Sequence, residues 1–315
     1  MRILKKILRK ILWKVLVAIV GLAILAVAVL NVAKFAIYRE YYSMKNDVCV
    51  NPGLNDGFAC QGIAASEEND VILVSGYMQD HSASRIYVVD SSDNFHYVKL
   101  KQADRDFTGH FGGIATSGNL VYIASDDTIF TVSLDDVVLA KSGDYVDIGE
   151  GVGINNQASF VYTDDTYFYV GEFHNGGKYN VEGHEIDTAE GMHYAICTKY
   201  DLNDLTTPLC IYSIRNEVQG ICFTPEGKVI MSTSYGLKDS VFYVYDLSEA
   251  TESGITMDGA PVYNLERFEK EIKAPAMSEG LDYRNGKVIP LFESACNKYL
   301  FGKLFGANKI VELEF

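Results

Sequence analysis

The stretch at residues 218–235, VQGICFTPEGKVIMSTSY, has counterparts at 61–77, QGIAASEENDVILVSGY, and at 279–294, EGLDYRNGKVIPLFES. In each, a polar residue and a glycine open a short apolar strand, a polar turn follows, and a second apolar strand closes the unit. Two further units complete the series, so that Gln61, Gly112, Ala158, Gln219 and Glu279 hold equivalent positions, spaced 51, 46, 61 and 60 residues apart. Four units add a third strand ending in an acidic or polar turn (RIYVVDSSD, TIFTVSLDD, YAICTKYDLND, VFYVYDLSE). Most show a fourth, such as HYVKL, LCIYSI and PVYNL. Repetition at this period, built from four antiparallel strands, is the mark of an all-β fold of the β-propeller type. The alternating helices of a parallel α/β sheet are missing, and a β-sandwich need not repeat a motif at blade spacing. Five blades is the direct count; a sixth would have to lie in the irregular stretches 143–160 or 255–275. The last unit, Glu279 to Phe315, lacks an outer strand. Residues near Asp47–Val50 would supply it and hide two open sheet edges.

The N-terminus is built differently. In MRILKKILRKILWK, Ile3, Leu4, Ile7, Leu8, Ile11 and Leu12 share one helical face, and Lys5, Lys6, Arg9, Lys10 and Lys14 share the other. That pattern suits an anionic lipid surface. It runs into an apolar stretch, Val15–Ala33, which Phe35–Tyr38 extend to an aromatic edge. About 20 apolar residues span a bilayer core. The domain order is therefore a basic amphipathic cytoplasmic segment (1–14), a transmembrane helix (15–38), a linker with a closing strand (39–57) and a β-propeller ectodomain (58–315). The positive-inside rule puts residue 1 in the cytoplasm and the propeller outside, in a single-pass cell-membrane protein. The rival reading is a cleaved signal peptide with Ala26-Val27-Ala28 as its small-residue site, but the apolar run continues past it.

Charge excludes one class of partner. Of 27 Lys and Arg, eight lie in residues 1–39, which hold no acid. The remaining 19 face 42 Asp and Glu, a balance of −23 that repels nucleic acid. The body also carries all six cysteines, Cys49, Cys60, Cys197, Cys210, Cys222 and Cys296, with no zinc spacing among them. Outside the membrane such thiols tend to pair. Cys49–Cys60 would close a short loop and Cys197–Cys210 would face across a hairpin. Cys222–Cys296 is left by subtraction.

In an antiparallel blade the first strand begins, and the second ends, on the same face of the ring. That face collects Gln61, His110, Asn156 and Gln157, Gln219 and Glu279 from strand starts. Second strands add Ser125, Glu172, Ser234 and Glu293, followed by Tyr77, Asp126, Tyr235 and Ser294, with His174 two residues past Glu172. Gln61, Asn156, Glu172, His174, Gln219 and Tyr235 form the expected ligand-binding set for a small molecule or protein. Glu279 and Glu293, with Asn156, offer hard oxygen ligands of the kind calcium or another divalent cation takes; otherwise one carboxyl pKa must rise. His110, beside two glycines, is the general-base candidate. The longest insertion, Phe173–His193, lies on the same face as a covering loop. His184 and Glu185 on it read as solvated. No nucleophile elbow occurs.

HFGGIATSGNLVYIAS, VQGICFTPEGKVIMSTSY and MSEGLDYRNGKVIPLFESACNKY resemble segments of exported or membrane-anchored bacterial propeller proteins of unassigned activity, over most of 58–315. More distantly, the blade starts are similar to the gluconolactonase/paraoxonase/strictosidine-synthase propeller superfamily. There a Glu-Gly strand start contributes a ligand to a central divalent ion, a place that Glu279-Gly280 matches and Asn156 neighbours. Gln61 and Gln219 stand where that superfamily has acids, and it has six blades rather than five. Two functions follow as expectations: a membrane-anchored ligand- or partner-binding domain, or a divalent-metal-dependent hydrolase of lactone or ester type.

Overall fold

The structure, a computed structural model, describes residues 2–315 apart from the side chains of Arg2 and Leu4; Met1 and the placement of Leu4 on the apolar face lie outside it. Helix α1 (Arg2–Ile37) is followed by a short helix α2 (Arg39–Met44), and the rest is mostly strand. Lys5–Ile37 of α1 has the length and composition to cross a membrane, with a mean hydropathy of 2.9 in its most apolar window and none of that window buried. A signal sequence meets the same two criteria.

Five sheets form a five-bladed β-propeller. Blade I comprises Phe58–Ser66, Val71–Met78, Arg85–Asp90 and Phe95–Gln102 from the axis outward. Blade II has Gly113–Ser117, Leu120–Ser125, Thr128–Ser133 and the short Val152–Gly153. Blade III begins with Phe160–Thr163, Tyr167–Gly171, Ala195–Asp201 and Asp204–Ile214. Blade IV has Val218–Phe223, Lys228–Thr233, Ser240–Asp246 and Phe268–Ala274, and blade V has Ser278–Arg284, Lys287–Phe292 and Lys309–Leu313. The outer strand of blade V is Lys45–Val50, which pairs antiparallel with Lys309–Leu313 and joins the two ends of the propeller.

The irregular stretches hold no sixth blade. Tyr145–Asp147 adds to blade I in parallel, and Val152–Gly153 edges blade II. The hairpin Thr251–Met257/Ala260–Asn264 leaves blade IV and extends blade III, pairing in parallel with Asp204–Ile214. The segment PVYNL therefore belongs to blade III and is not the fourth strand of the fourth unit. That place is taken by FEKEIKA, Phe268–Ala274.

The five innermost strands touch one another in cyclic order, I to II to III to IV to V to I. With only five members the ring is narrow, and the recurring glycine is what lets it close. A Cβ on Gly113 would lie 2.5 Å from the Val161 nitrogen, one on Gly62 2.8 Å from the Ile114 nitrogen, and one on Gly220 2.6 Å from the Leu281 nitrogen. These obstacles are backbone and cannot swing away, so these three positions require glycine, whereas blade III carries Ser159 at the equivalent place. Hydrogen bonds then pin blade to blade: Thr116 Oγ1 donates to the Ala65 carbonyl (3.1 Å), Tyr162 Oη to the Phe223 carbonyl (2.9 Å), and Ser232 and Ser278 share a 2.5 Å contact.

Helix α2 packs on the ring. Tyr38 Oη donates to Asp239 Oδ1 at 2.8 Å, and buried Tyr41 meets Phe292 edge-on at 5.8 Å. Phe292 ends the second strand of blade V and Asp239 lies in the turn between the second and third strands of blade IV, so α1 leaves the propeller on the same face as its mouth.

Candidate functional site

The polar residue before each recurring glycine sits at a break in strand register. Pairing shifts between Cys60 and Gly62, between Val218 and Gly220, and between Ser278 and Leu281. Gln61, Gln219 and Glu279 thus occupy β-bulges, which turn a side chain out of the pleat. Glu293 directly follows the second strand of blade V. Gln61 and Glu279, on adjacent inner strands, meet it there.

Gln61 Nε2 donates to Glu293 Oε2 at 3.0 Å and to its neighbouring Cys60 carbonyl at 2.8 Å. Glu279 and Glu293 are neighbours at this point, and both are buried. Two carboxylates in contact cannot both ionise. Burial, then the Glu293 charge, pushes the Glu279 carboxyl well above the usual carboxylate range. Burial also raises Glu293, while the nearby Tyr299 hydroxyl, the Lys298 charge and the Gln61 amide work against that rise. Of the two, Glu279 is the carboxyl that its surroundings push further toward the protonated form.

Lys298 stands beside this pair. Its Nζ bonds the Tyr77 hydroxyl and lies 4.7 Å from the Tyr77 ring centre and 4.8 Å from that of Tyr299. On the other side Tyr77 packs on His110, centroids 4.6 Å apart. The His110 ring opens onto the mouth, yet the packed surround and then the Lys298 ammonium lower its pKa to about 4. It is neutral at physiological pH and a weak base. One half of the mouth thus holds a buried acid pair, an ammonium group and a face of aromatic rings.

The other expected residues lie elsewhere. Glu172 is buried and fully engaged: it accepts from the backbone N–H groups of Gln157 (3.3 Å) and Ile196 (3.2 Å) and pairs with His184 Nδ1 at 2.8 Å. His184 is therefore not a solvated loop residue; it ties the Phe173–His193 insertion to the ring, and its bond to Glu172 raises its pKa. His174 accepts from the Val181 N–H (3.1 Å), stacks on Tyr194 at 4.7 Å and walls a recess of about 450 Å³ with Asn175, Asn180, Asn216 and Glu217. Gln219 makes only a long 3.5 Å contact to the Ser234 carbonyl, and Tyr235 is exposed near Phe173. Asn156 spends its amide on the Val170 carbonyl (3.0 Å), and its buried Oδ1 has no protein partner among the described residues.

Asn156 does not join Glu279 and Glu293: its amide bonds the Val170 carbonyl within blade III, while the Gln61 amide donates to Glu293. Among the described residues no three His, Cys, Asp or Glu side chains form a metal-holding group.

All six cysteines are thiols. Cys197 stands opposite Tyr212 and Cys210 opposite Lys199, two residues out of register, so the expected hairpin pair does not form. Nor are Cys49–Cys60 and Cys222–Cys296 bonded. Cys60 instead approaches Cys296, with sulfurs 3.9 Å apart, directly behind Gln61 and Glu293.

At the far end of the axis lies an arrangement that no motif marked. Arg284 donates from Nε to the Ala65 carbonyl (2.7 Å) and from Nη2 to the Thr116 carbonyl (3.0 Å), and its Nε lies 3.5 Å from Asp282 Oδ2. Asp282 in turn accepts the Ala65 N–H at 2.6 Å. One guanidinium joins blades V, I and II at the floor of a recess of about 530 Å³, which Ser66, Glu67 and Asp165 also line.

No known protein family matches the chain, and no curated protein does. Among solved structures it is similar to β-propeller proteins at low identity. One is the PQQ-bound aldose sugar dehydrogenase of Streptomyces coelicolor (16% identity, TM-score 0.43, 78% of this chain and 76% of that one). A second is the glutaminyl cyclase of Myxococcus xanthus (8%, TM-score 0.46, 86% and 96%). A third is the hydrazine synthase of Kuenenia stuttgartiensis (10%, TM-score 0.39), where the match takes in 74% of this chain but only 55% of that one, about half its length.

Proposed function

We propose that the chain is a membrane-anchored, extracytoplasmic binding domain whose ligand, a small polar molecule or a polar group on a partner, enters the mouth between blades V, I and II. The observation that carries this reading is the Glu279–Glu293 pair with Lys298, Tyr77 and His110 around it. One shared proton leaves a single negative charge beside one ammonium, so the site is close to neutral. It offers both donors and acceptors next to aromatic faces, as a recognition pocket for an uncharged or zwitterionic ligand requires. Ligand-induced thermal shifts of the full chain in detergent test it. A ligand of that class should raise the melting temperature of the wild type and not of Tyr77→Ala or Lys298→Ala; at about 100 times its Kd it adds roughly 2.7 kcal/mol. If calcium alone raises melting, and Glu279→Gln abolishes the effect, the metal-dependent hydrolase replaces this reading.

The export half of the proposal rests on α1 and on the basic residues Lys5, Lys6, Arg9, Lys10 and Lys14 before its apolar run. In an oxidising compartment Cys60 and Cys296 are the pair within reach, and a disulfide-bearing oxidant would accept their two electrons and two protons. Thiol labelling of protein denatured without reductant should find these two blocked, and reactive once a reductant is added. Six reactive thiols in unreduced, denatured protein would place the propeller in a reducing compartment.

A further inference from the structure

Where α1 meets the propeller, the surface does not look like the rest of this acidic body. The loop after Glu293 ends in YLFGKLFG, residues 299–306, and Leu300 (75% exposed), Phe301 (66%) and Leu304 (47%) project from it uncovered. Leu237 (61% exposed) tips the neighbouring turn of blade IV. Isolated apolar residues at a surface need no explanation, but a cluster of large ones does.

Three contacts place this cluster beside the helix. Asp239, two residues from Leu237, accepts from Tyr38 Oη; Phe305 meets the Tyr38 ring edge-on at 6.5 Å; and α1 itself touches Gly302–Leu304. Within α1, Leu30, Ala33 and Lys34 are partly covered while the rest of its apolar run is open. Leu30 lies about 10 Å along the helix axis from Ile37 at 1.5 Å per residue. The loop therefore runs beside the last two turns of α1 as well as its end. Lys238 and Lys303 lie on the same two loops, and Arg39 follows the helix. These charges suit lipid phosphates.

We propose that the loops bearing Leu237 and Leu300–Phe305 seat in the bilayer leaflet from which α1 emerges, so that the mouth of the propeller faces the lipid headgroups. The occupant of this apolar surface is the membrane itself. The inference rests on α1 spanning that membrane, and it deepens the binding proposal: a ligand reaching Glu279 and Glu293 comes from the membrane surface or passes along it.

Depth-dependent fluorescence quenching of the full chain in vesicles of phosphatidylcholine and phosphatidylglycerol tests it, with a spin label high on the acyl chain. The chain has one tryptophan, Trp13. Three proteins are compared: the wild type, Trp13→Phe/Phe301→Trp, and Trp13→Phe/Leu139→Trp, the last probing an exposed residue beyond the outer part of blade II. The expected result is loss of most emission from the wild type and the position-301 probe, with a blue shift for the latter, and no loss from the position-139 probe. A quenched wild type with an unquenched position-301 probe overturns the seating and leaves the anchor standing. Quenching of neither overturns the anchor and the inference with it. Equal quenching at 301 and 139 also overturns the seating, since it would mean that no one face meets the lipid.

Discussion

Glu279→Gln is expected to make the protein more stable than the wild type at neutral and alkaline pH while leaving it nearly unchanged in mild acid. Glutamine keeps a hydrogen-bond donor directed at Glu293 and removes only the ionisable proton. In the wild type, the folded pKa of Glu279 lies well above its ordinary 4.5. The folded protein then binds more protons than the unfolded chain between those two values. Stability must fall as pH rises through that window, by up to about 1.4 kcal/mol per pH unit for one proton. The contribution is fully present below 4.5 and gone above the raised value. In Glu279→Gln that slope disappears. Glu279→Ala behaves differently, because it deprives the buried Glu293 carboxylate of a donor and costs about 1–3 kcal/mol. Denaturant unfolding of the three proteins across the pH range separates these outcomes. Parallel pH profiles for the wild type and Glu279→Gln would mean that the carboxyls do not share a proton.

Arg284→Ala is expected to cost roughly 3–5 kcal/mol, the usual penalty for removing one partner of a buried ion pair. The loss has two parts. The Ala65 and Thr116 carbonyls lose their side-chain donor, and Asp282, buried at the centre of the ring, loses its counter-charge. Burial lifts the Asp282 pKa to about 6 even with Arg284 pulling it down. The deficit should therefore widen above about pH 6, where an unpaired Asp282 would have to ionise or take up a proton. Arg284→Lys should recover little, since a single ammonium cannot reproduce the guanidinium fork across two carbonyls on different blades. Full recovery by lysine would reduce Arg284 to a generic positive charge.

The repeat was the most legible feature because its cause is steric and local. Each Gly at a blade start records a place where a Cβ would strike the next inner strand, and each Gln or Glu before it records a bulge. Both recur because the ring contact recurs. Ring closure by Lys45–Val50 was legible for a related reason: a final unit with one strand too few leaves an open edge. The strand PVYNL joins a different blade from the one its place in the sequence suggests, because alternation shows that a segment is a strand but not which sheet it joins. FEKEIKA does not read as a strand in the sequence because its pattern is charged, with only Ile272 and Ala274 buried. Cysteine pairing depended on register to within two residues, which no composition reveals.

At the site, Gln61, Glu279 and Glu293 could be chosen from blade geometry alone. Lys298 and Tyr299 could not, because they belong to a loop after the second strand that folds back over the mouth. His184 failed as a prediction for the same reason. Arg284 and Asp282 sit near the far end of the first strand of blade V, on the face that geometric selection leaves aside.

The most direct measurement is the infrared difference spectrum of the full chain, wild type minus Glu279→Gln, at neutral pH. A protonated carboxyl absorbs through its C=O stretch, whereas a carboxylate shows only its symmetric and antisymmetric stretches. The expected result is a protonated-carboxyl band in the wild type that is lost in Glu279→Gln and persists in the wild type when calcium is added. Two ionised carboxylates at neutral pH, or a protonated band that calcium abolishes, would contradict the shared proton and return the pair to the role of a cation site.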